Sequence, residues 1–226
     1  MDSCLVGSEM CIRDRYTVAK RSRTYVTKVL SSISGEYYKN YNVNRLIRRS
    51  NGIDLYYGDK SEFFSYDKVV LASHADQALS IIDEPTKEEQ EILSKFKYRE
   101  NIAVIHTDES IMPNNKDIWS SWNSSVDKNN VENNSITYWL NLLQNLDFNK
   151  NIFLTLNPNF KINEDKIFKK VNFTHPYFDQ SALDNQDKLK NLQNKKNLLF
   201  CGSYFGYGFH EDGIKSSIEM IKAIDD

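Results

Sequence analysis

No apolar run in this sequence is long enough to cross a bilayer. Its longest apolar stretches, Val69-Val-Leu-Ala72 and Leu198-Leu-Phe-Cys201, have the length of buried strands, whereas a spanning helix needs about 20 residues. An excess of either charge is also missing: 29 basic residues stand against 31 acidic ones, a formal net of -2. That balance argues against a nucleic-acid surface, which needs a concentrated basic face. Cysteine is scarce. Cys4, Cys11 and Cys201 form neither a disulfide framework nor a paired metal spacing, which fits a reducing, cytoplasmic compartment. His210-Glu211-Asp212 lacks HExxH spacing and a second cluster, so no metal site is assigned. Neither a Walker-type glycine loop with Lys-Ser/Thr nor a G-x-G-x-x-G motif occurs. No internal repeat is visible either.

What remains is a chain of 226 residues with 40% hydrophobic and 12% aromatic content. It can bury the core of one large domain or two small interleaved ones. The segment Met1–Arg15, MDSCLVGSEMCIRDR, stands apart from the Asn/Lys/Ile/Tyr-rich sequence that follows, and it holds two of the three cysteines. It lacks the pattern of a signal peptide and resembles translated adapter read-through at a broken contig end. The expectation is a non-native segment over 1–15, native sequence from near Tyr16, and an upstream portion lost. The alternative is an ordinary disordered N-terminus.

Periodicity then orders the chain. SRTYVTKVLSSI predicts a helix over Ser22–Ile33 with Tyr25, Val26, Val29, Leu30 and Ile33 on one face. A meander follows: strands at Tyr38–Ile47, Ile53–Tyr57 and Glu62–Tyr66, with turns at Asn51-Gly52 and Gly58-Asp59. Val69–Ala72 reads as a strand buried on both faces. Thr86 caps a helix reaching Phe96. Strands are predicted at Ile102–His106, Trp119–Asn123, Ile136–Leu142 and Ile152–Leu156, with Ser124–Asn134 as a loop between two of them. Ser181–Leu192 reads as a polar helix, Leu198–Cys201 as a strand, and Gly213–Ile224 as the last helix.

Four of only eight glycines, Gly202, Gly206, Gly208 and Gly213, fall between that strand and that helix. Such clustering either builds a tight corner or lets backbone approach something flat or anionic. A helix starting at Gly213-Ile214 would aim free N–H groups and a positive dipole end at an electron-rich group.

Several segments together carry a resemblance. They are Ser22-Arg-Thr-Tyr-Val26, Tyr66-Asp-Lys-Val-Val-Leu-Ala-Ser-His-Ala-Asp-Gln-Ala-Leu79, Ala103-Val-Ile-His-Thr-Asp108, Trp119-Ser-Ser-Trp-Asn123, Thr137-Tyr-Trp-Leu-Asn141, Thr155-Leu-Asn-Pro158 and His175-Pro176. The most specific is Phe200-Cys-Gly-Ser-Tyr-Phe-Gly-Tyr-Gly-Phe-His-Glu-Asp-Gly213. In this order they resemble the flavin-containing amine oxidase-like family, including its bacterial predicted NAD/FAD-binding proteins. The resemblance implies an α+β or α/β fold: the C-terminal part of a two-domain FAD-binding protein, its N-terminal Rossmann βαβ unit missing. It implies the end of a substrate-domain helix over 16–34, an FAD-domain meander and buried strand over 35–73, and a mixed-sheet substrate domain over 74–196. A final FAD-binding strand–loop–helix occupies 197–226.

The implied cofactor is FAD. Val43 would meet the adenine through its backbone and Ala72 would lie near the pyrophosphate. Gly202 and Ser203 would approach phosphate and ribitol, and Gly213 and Ile214 would cap the flavin pyrimidine edge. Many relatives carry an acidic residue where this chain has Ser203. Asn101 matches a position over the flavin, and Tyr138, Trp139, Tyr204 and Tyr207 are candidates for an aromatic wall. For His106, Trp122 and Trp139 core packing is the competing reading. The implied activity is flavin-mediated hydride removal from a small-molecule or lipid-like substrate, with a fatty-acyl isomerase or desaturase as a variant. Outside that class stand a non-catalytic ligand-binding α+β module and a phosphate cradle in a transferase.

Overall fold

The computed structural model of the chain describes residues 18, 21–58, 62–127 and 130–224. Segment 1–15, with Cys4 and Cys11, lies outside the described residues, as does Asp59 of the second meander turn. In chain order the elements are helix α1 (Ser22–Ser32), strands β1 (Val43–Arg49), β2 (Gly52–Tyr57), β3 (Phe63–Tyr66) and β4 (Val69–Leu71), and helices α2 (Ala75–Ile81) and α3 (Lys87–Leu93). Next come β5 (Lys97–His106), β6 (Trp122–Asp127), β7 (Asn130–Trp139), the single turn α4 (Leu140–Leu143), β8 (Phe153–Leu156) and β9 (Ile167–Tyr177). The chain closes with α5 (Gln180–Gln186), a 3₁₀ segment over Asp187–Leu192, β10 (Leu198–Phe200) and α6 (His210–Lys222). No helix among the described residues is long and apolar enough to cross a membrane.

The meander forms as expected, antiparallel in the order β1-β2-β3. Its first strand starts at Val43 rather than Tyr38, because Asn40 sits at φ 62 and breaks the extended run. Tyr38 and Tyr41 instead cluster with Tyr57 and Phe64, at ring separations of 4.7 to 5.2 Å. Strands β4 and β10 pair in parallel, Val69 to Leu71 against Leu198 to Phe200. Leu199 and Cys201 are buried beneath Met220 of α6. Val70, level with Leu199, is 41% exposed. The strand is therefore not buried on both faces: α6 covers the β10 side and leaves β4 open.

One core joins β1, β2, β4 and β10 to the helices. Leu46, Ile53, Leu71, Leu93, Leu189 and Phe200 meet in it. Helices α2, α3 and α5 belong to this core. Thr86 caps α3 in a complete capping box with Glu89, which satisfies two otherwise orphaned backbone donors. The polar helix expected over Ser181–Leu192 divides into α5 and the 3₁₀ segment, and Leu189 and Leu192 of the latter face the core.

The second sheet has the order β6-β7-β8-β5-β9. Every pairing in it is antiparallel, not mixed. A parallel pair needs a long crossover, and β6 and β7 are too close in sequence for one, while β7 and β8 are joined by α4 and a short loop. The expected loop over Ser124–Asn134 is a hairpin: Trp122–Asp127 pairs with Asn130–Trp139. Its Ser and Asn residues have low strand propensity, but they are held in the β6–β7 ladder, and β8 secures the adjoining Ile136–Trp139 stretch of β7 on its other side. Trp119 directly follows a 3₁₀ turn (Lys116–Ile118) and precedes β6 rather than lying in the strand. Past Trp139 the chain bends into α4 instead of continuing as a strand to Leu142. The longest strand, β9, alternates Lys, Asn and Thr with apolar residues. It is an edge strand, where Pro176 and its missing N–H are tolerated.

Candidate functional site

The glycine-rich corner begins where β10 ends. Gly202 lies at φ +154, and a Cβ there would stand 2.8 Å from the Tyr204 ring. At Gly206 a Cβ would meet the Asp212 carboxyl carbon at 2.5 Å. That approach lets the Asp212 carboxylate accept from the N–H groups of Tyr207 and Phe209, both at 3.0 Å. The carboxylate starts α6 at His210, three residues before the expected Gly213. The Gly213 amide is therefore not free: it donates to the Phe209 carbonyl at 3.2 Å. The N–H groups of His210 and Glu211 are the ones left without an acceptor among the described residues. Ser216 ties helix to corner, accepting from the Gly202 N–H at 2.9 Å and donating to the Gly213 carbonyl at 2.8 Å.

Gly213 differs from the other two. A Cβ added there would meet only the Ser203 nitrogen, at 3.8 Å. Nothing in the fold asks for glycine at that point of the helix, yet glycine weakens a helix by about 1 kcal/mol relative to alanine.

Two grooves open at the carboxyl ends of β4 and β10. One, of about 600 Å³, is lined by Val43, Asn44, Val70, Ala72 and Ser73. The other, of about 620 Å³, is lined by Ala72, Gly202, Ser203, Gly213 and Ile214, with Tyr25 of α1 at its rim. Ala72 belongs to both. The six residues expected at a cofactor thus lie along one edge of the parallel pair, where open α/β sheets take their ligands. Charged side chains are nearly absent from the second groove; its donors are backbone amides and hydroxyls. The Ser203 hydroxyl has no hydrogen-bond partner among the described residues.

The candidates for substrate contact separate. Paired residues in neighbouring strands share a face, so register decides where each one lies. Tyr138 is level with Trp122, with Leu154 and, through β8, with Ile105. One row along, Ile136, Leu156, Ala103 and Val171 share that face, followed by Asn101 with Phe173 and then Arg99 with His175. Asn101 and Tyr138 therefore lie on one face. Trp139 lies on the other, with Phe153 and His106. There it packs edge-on against Trp119 at 5.4 Å and donates from its indole to Asn151, as the core reading has it. Tyr204 is also a core residue, against Phe96. Tyr207 is 70% exposed on the corner loop and lines neither groove.

His106 is fully buried with both ring nitrogens engaged. Nδ1 accepts from the Asp108 N–H at 3.1 Å, so the neutral ring carries its hydrogen on Nε2, 2.8 Å from the Thr155 hydroxyl. Thr155 meets Thr137 at 2.9 Å. Burial lowers His106 to about 4, against a smaller upward pull from Asp108. Burial also presses Asp108 upward, but the Asn163 amide, Ser110 and Lys166 together hold it well below the usual carboxylate range. His74 directly precedes α2 and stacks on Tyr98 at 4.1 Å. Desolvation raises Tyr98 to about 12, and its oxygen accepts from the Ala75 N–H.

No family model and no curated protein matches the sequence. Solved structures do match. A CLA-producing fatty acid isomerase from P. acnes superposes with a TM-score of 0.59 at 14% identity, over 90% of this chain and 51% of that one. Putrescine oxidase bound to putrescine gives 0.58 at 9% identity, over 91% and 52%. Cyclohexylamine oxidase from Brevibacterium oxydans gives 0.51 at 10% identity, over 82% and 49%. The fold resembles part of the FAD amine-oxidase fold. The chain spans about half the length of these structures. The likeness is one of fold, so residue roles rest on geometry rather than on alignment.

Proposed function

We propose that this chain forms part of an FAD-dependent oxidoreductase of the amine-oxidase type, acting by flavin-mediated hydride removal. The observation that carries the reading is the convergence of Val43, Ala72, Gly202, Ser203, Gly213 and Ile214 along the carboxyl edge of β4 and β10. In this reading the Val43 backbone meets the adenine, Ala72 lies beside the pyrophosphate, and Gly202 and Ser203 meet phosphate and ribitol. Gly213 and Ile214 flank the pyrimidine edge. Two features support the fit: the open space beside Gly213 and the unspent Ser203 hydroxyl. Bound flavin supplies the hydride acceptor, and the protein orients substrate and tunes the ring.

The first turn of α6, with unpaired N–H groups at His210 and Glu211, favours negative charge on a group lying in the groove. The Asp212 carboxylate offsets part of that field. The exposed apolar residues of α1 and α6, among them Val26, Val29, Ile218 and Ile221, are covered in this reading by the rest of the enzyme. A fatty-acyl isomerase or desaturase of the same flavin class is favoured by one further observation, the half-open apolar face of the five-stranded sheet. A non-catalytic ligand-binding module is the reading from another class.

Protein purified from the full reading frame tests the proposal. It is expected to carry stoichiometric, releasable FAD and a flavin absorbance spectrum. Colourless protein that takes up no added FAD would leave the binding-module reading in its place.

A further inference from the structure

The half-open face of the five-stranded sheet has a direction. At one end stand Trp122, 48% exposed, and Tyr138; further along come Ile136 and Phe173, 40% and 48% exposed. At the other end stand Arg99 and His175, directly opposite each other across β5 and β9. Strand rise puts the two ends about 20 Å apart along the sheet. These exposed apolar side chains share one face and give a flexible apolar chain a surface to lie along.

The polar end is built, and its orientation follows from one backbone amide. The Ile102 N–H can only donate, and it donates to Asn157 Oδ1 at 2.9 Å. Asn157 must then turn its amide nitrogen outward, and it donates to Asn101 Oδ1 at 2.7 Å. Asn101 in turn presents its nitrogen to the Arg99 carbonyl at 3.0 Å and to His175 Nδ1 at 3.1 Å. His175 Nδ1 is thus an acceptor, and the neutral ring carries its hydrogen on Nε2. That N–H has no partner among the described residues. Beside it the Arg99 guanidinium lies over the Tyr177 ring at 4.8 Å, with no carboxylate in ion-pair range among the described residues. Lys97, two residues earlier on the same strand, is by contrast paired with Asp179 at 2.9 Å.

We propose that Arg99 and His175 anchor the carboxylate head of a substrate whose apolar body lies along this face toward Trp122. Asn101 and Asn157 are positioning residues that set the His175 ring. The inference rests on the oxidoreductase reading for the chemistry that follows, but not for the binding itself. A guanidinium and an imidazole N–H together select a charged acceptor over an uncharged one, and the apolar rows accept a flexible chain.

Binding of lauric acid and of lauryl alcohol to the full-frame protein, read by Trp122 fluorescence with Trp122→Phe as the blank, tests this. Lauric acid is expected to bind about tenfold or more tightly than the alcohol. Arg99→Gln, at an exposed position, is expected to erase that ratio, and His175→Gln to reduce it. Asn101→Ala is expected to reduce it as well, while Lys169→Gln, which removes a cation from the far end of the face, leaves it intact. Equal binding of acid and alcohol by the unaltered protein overturns the proposal, and so does a ratio that survives Arg99→Gln or falls with Lys169→Gln. Colourless protein that still prefers the acid supports the anchor while sinking the flavin reading. Yellow protein without the preference sinks the anchor alone.

Discussion

Replacing Gly213 separates what the fold needs from what a ligand needs. The residue is not at positive φ, and an added Cβ would make only an ordinary contact, 3.8 Å from the Ser203 nitrogen. It sits within the first turn of α6, where alanine is more favourable than glycine by about 0.5–1 kcal/mol. For a chain of this size that corresponds to a rise of about 1–4 °C in Tm. Gly213→Ala should therefore stabilise the protein when it is stripped of flavin. Yet the same methyl projects into the groove lined by Ala72, Gly202 and Ser203, so FAD retained per chain should fall. Gly213→Val should lower it further, since a β-branched side chain fills more of the groove. The assay is paired: thermal unfolding of the stripped protein, and FAD released from the protein as purified. Folded Gly213→Val with undiminished FAD would refute the role assigned to this turn. A lower Tm for Gly213→Ala would show that the fold itself requires the glycine.

Two further expectations concern stability. His106 is held neutral, with its folded value lowered to about 4 by burial, while the unfolded chain titrates near 6.5. The unfolded state then binds more protons between those values, so stability is lost as pH falls through that window. From about pH 7 to about pH 5 this one group should cost about 2 kcal/mol. Urea unfolding of His106→Gln should lack that increment; an unchanged pH slope would exclude His106 as its source. Asp108, held low, contributes separately, and its share is lost only below the ordinary carboxylate range. Arg48 pairs with Glu89, which is 2% exposed. Arg48→Met strands that carboxylate and should cost about 3 kcal/mol or more. A urea-derived loss under about 1 kcal/mol would show that the pair is dispensable.

The sequence alone carried the elements whose signals are local. Asn51-Gly52 turns β1 into β2, Thr86 with Glu89 starts α3, and short apolar runs at Val69 and Leu198 become the parallel pair. Cys201, at the end of the strand-length apolar run from Leu198, is buried. The six cofactor candidates rest on the resemblance, and only the fold brings β1, β4, β10 and α6, far apart in sequence, to a shared groove edge. Where the sequence reading failed, the deciding interaction was remote. Ser124–Asn134 is polar enough to read as a loop, but it is paired in the β6–β7 ladder, which β8 braces from the other edge at Ile136–Trp139. The start of α6 moved to His210 because the Asp212 carboxylate reaches back over Gly206.

The separation of Tyr138 from Trp139 was equally out of reach. Consecutive strand residues point to opposite faces, and which face is core depends on what packs there. Met112 and Trp119 cover the Trp139 side, whereas the Tyr138 side stays half open. Local pattern fixes where strands and turns form, because it depends on neighbours a few residues away. Which side of a strand meets a cofactor, a substrate or the core depends on partners tens of residues distant, and only the tertiary structure decides that.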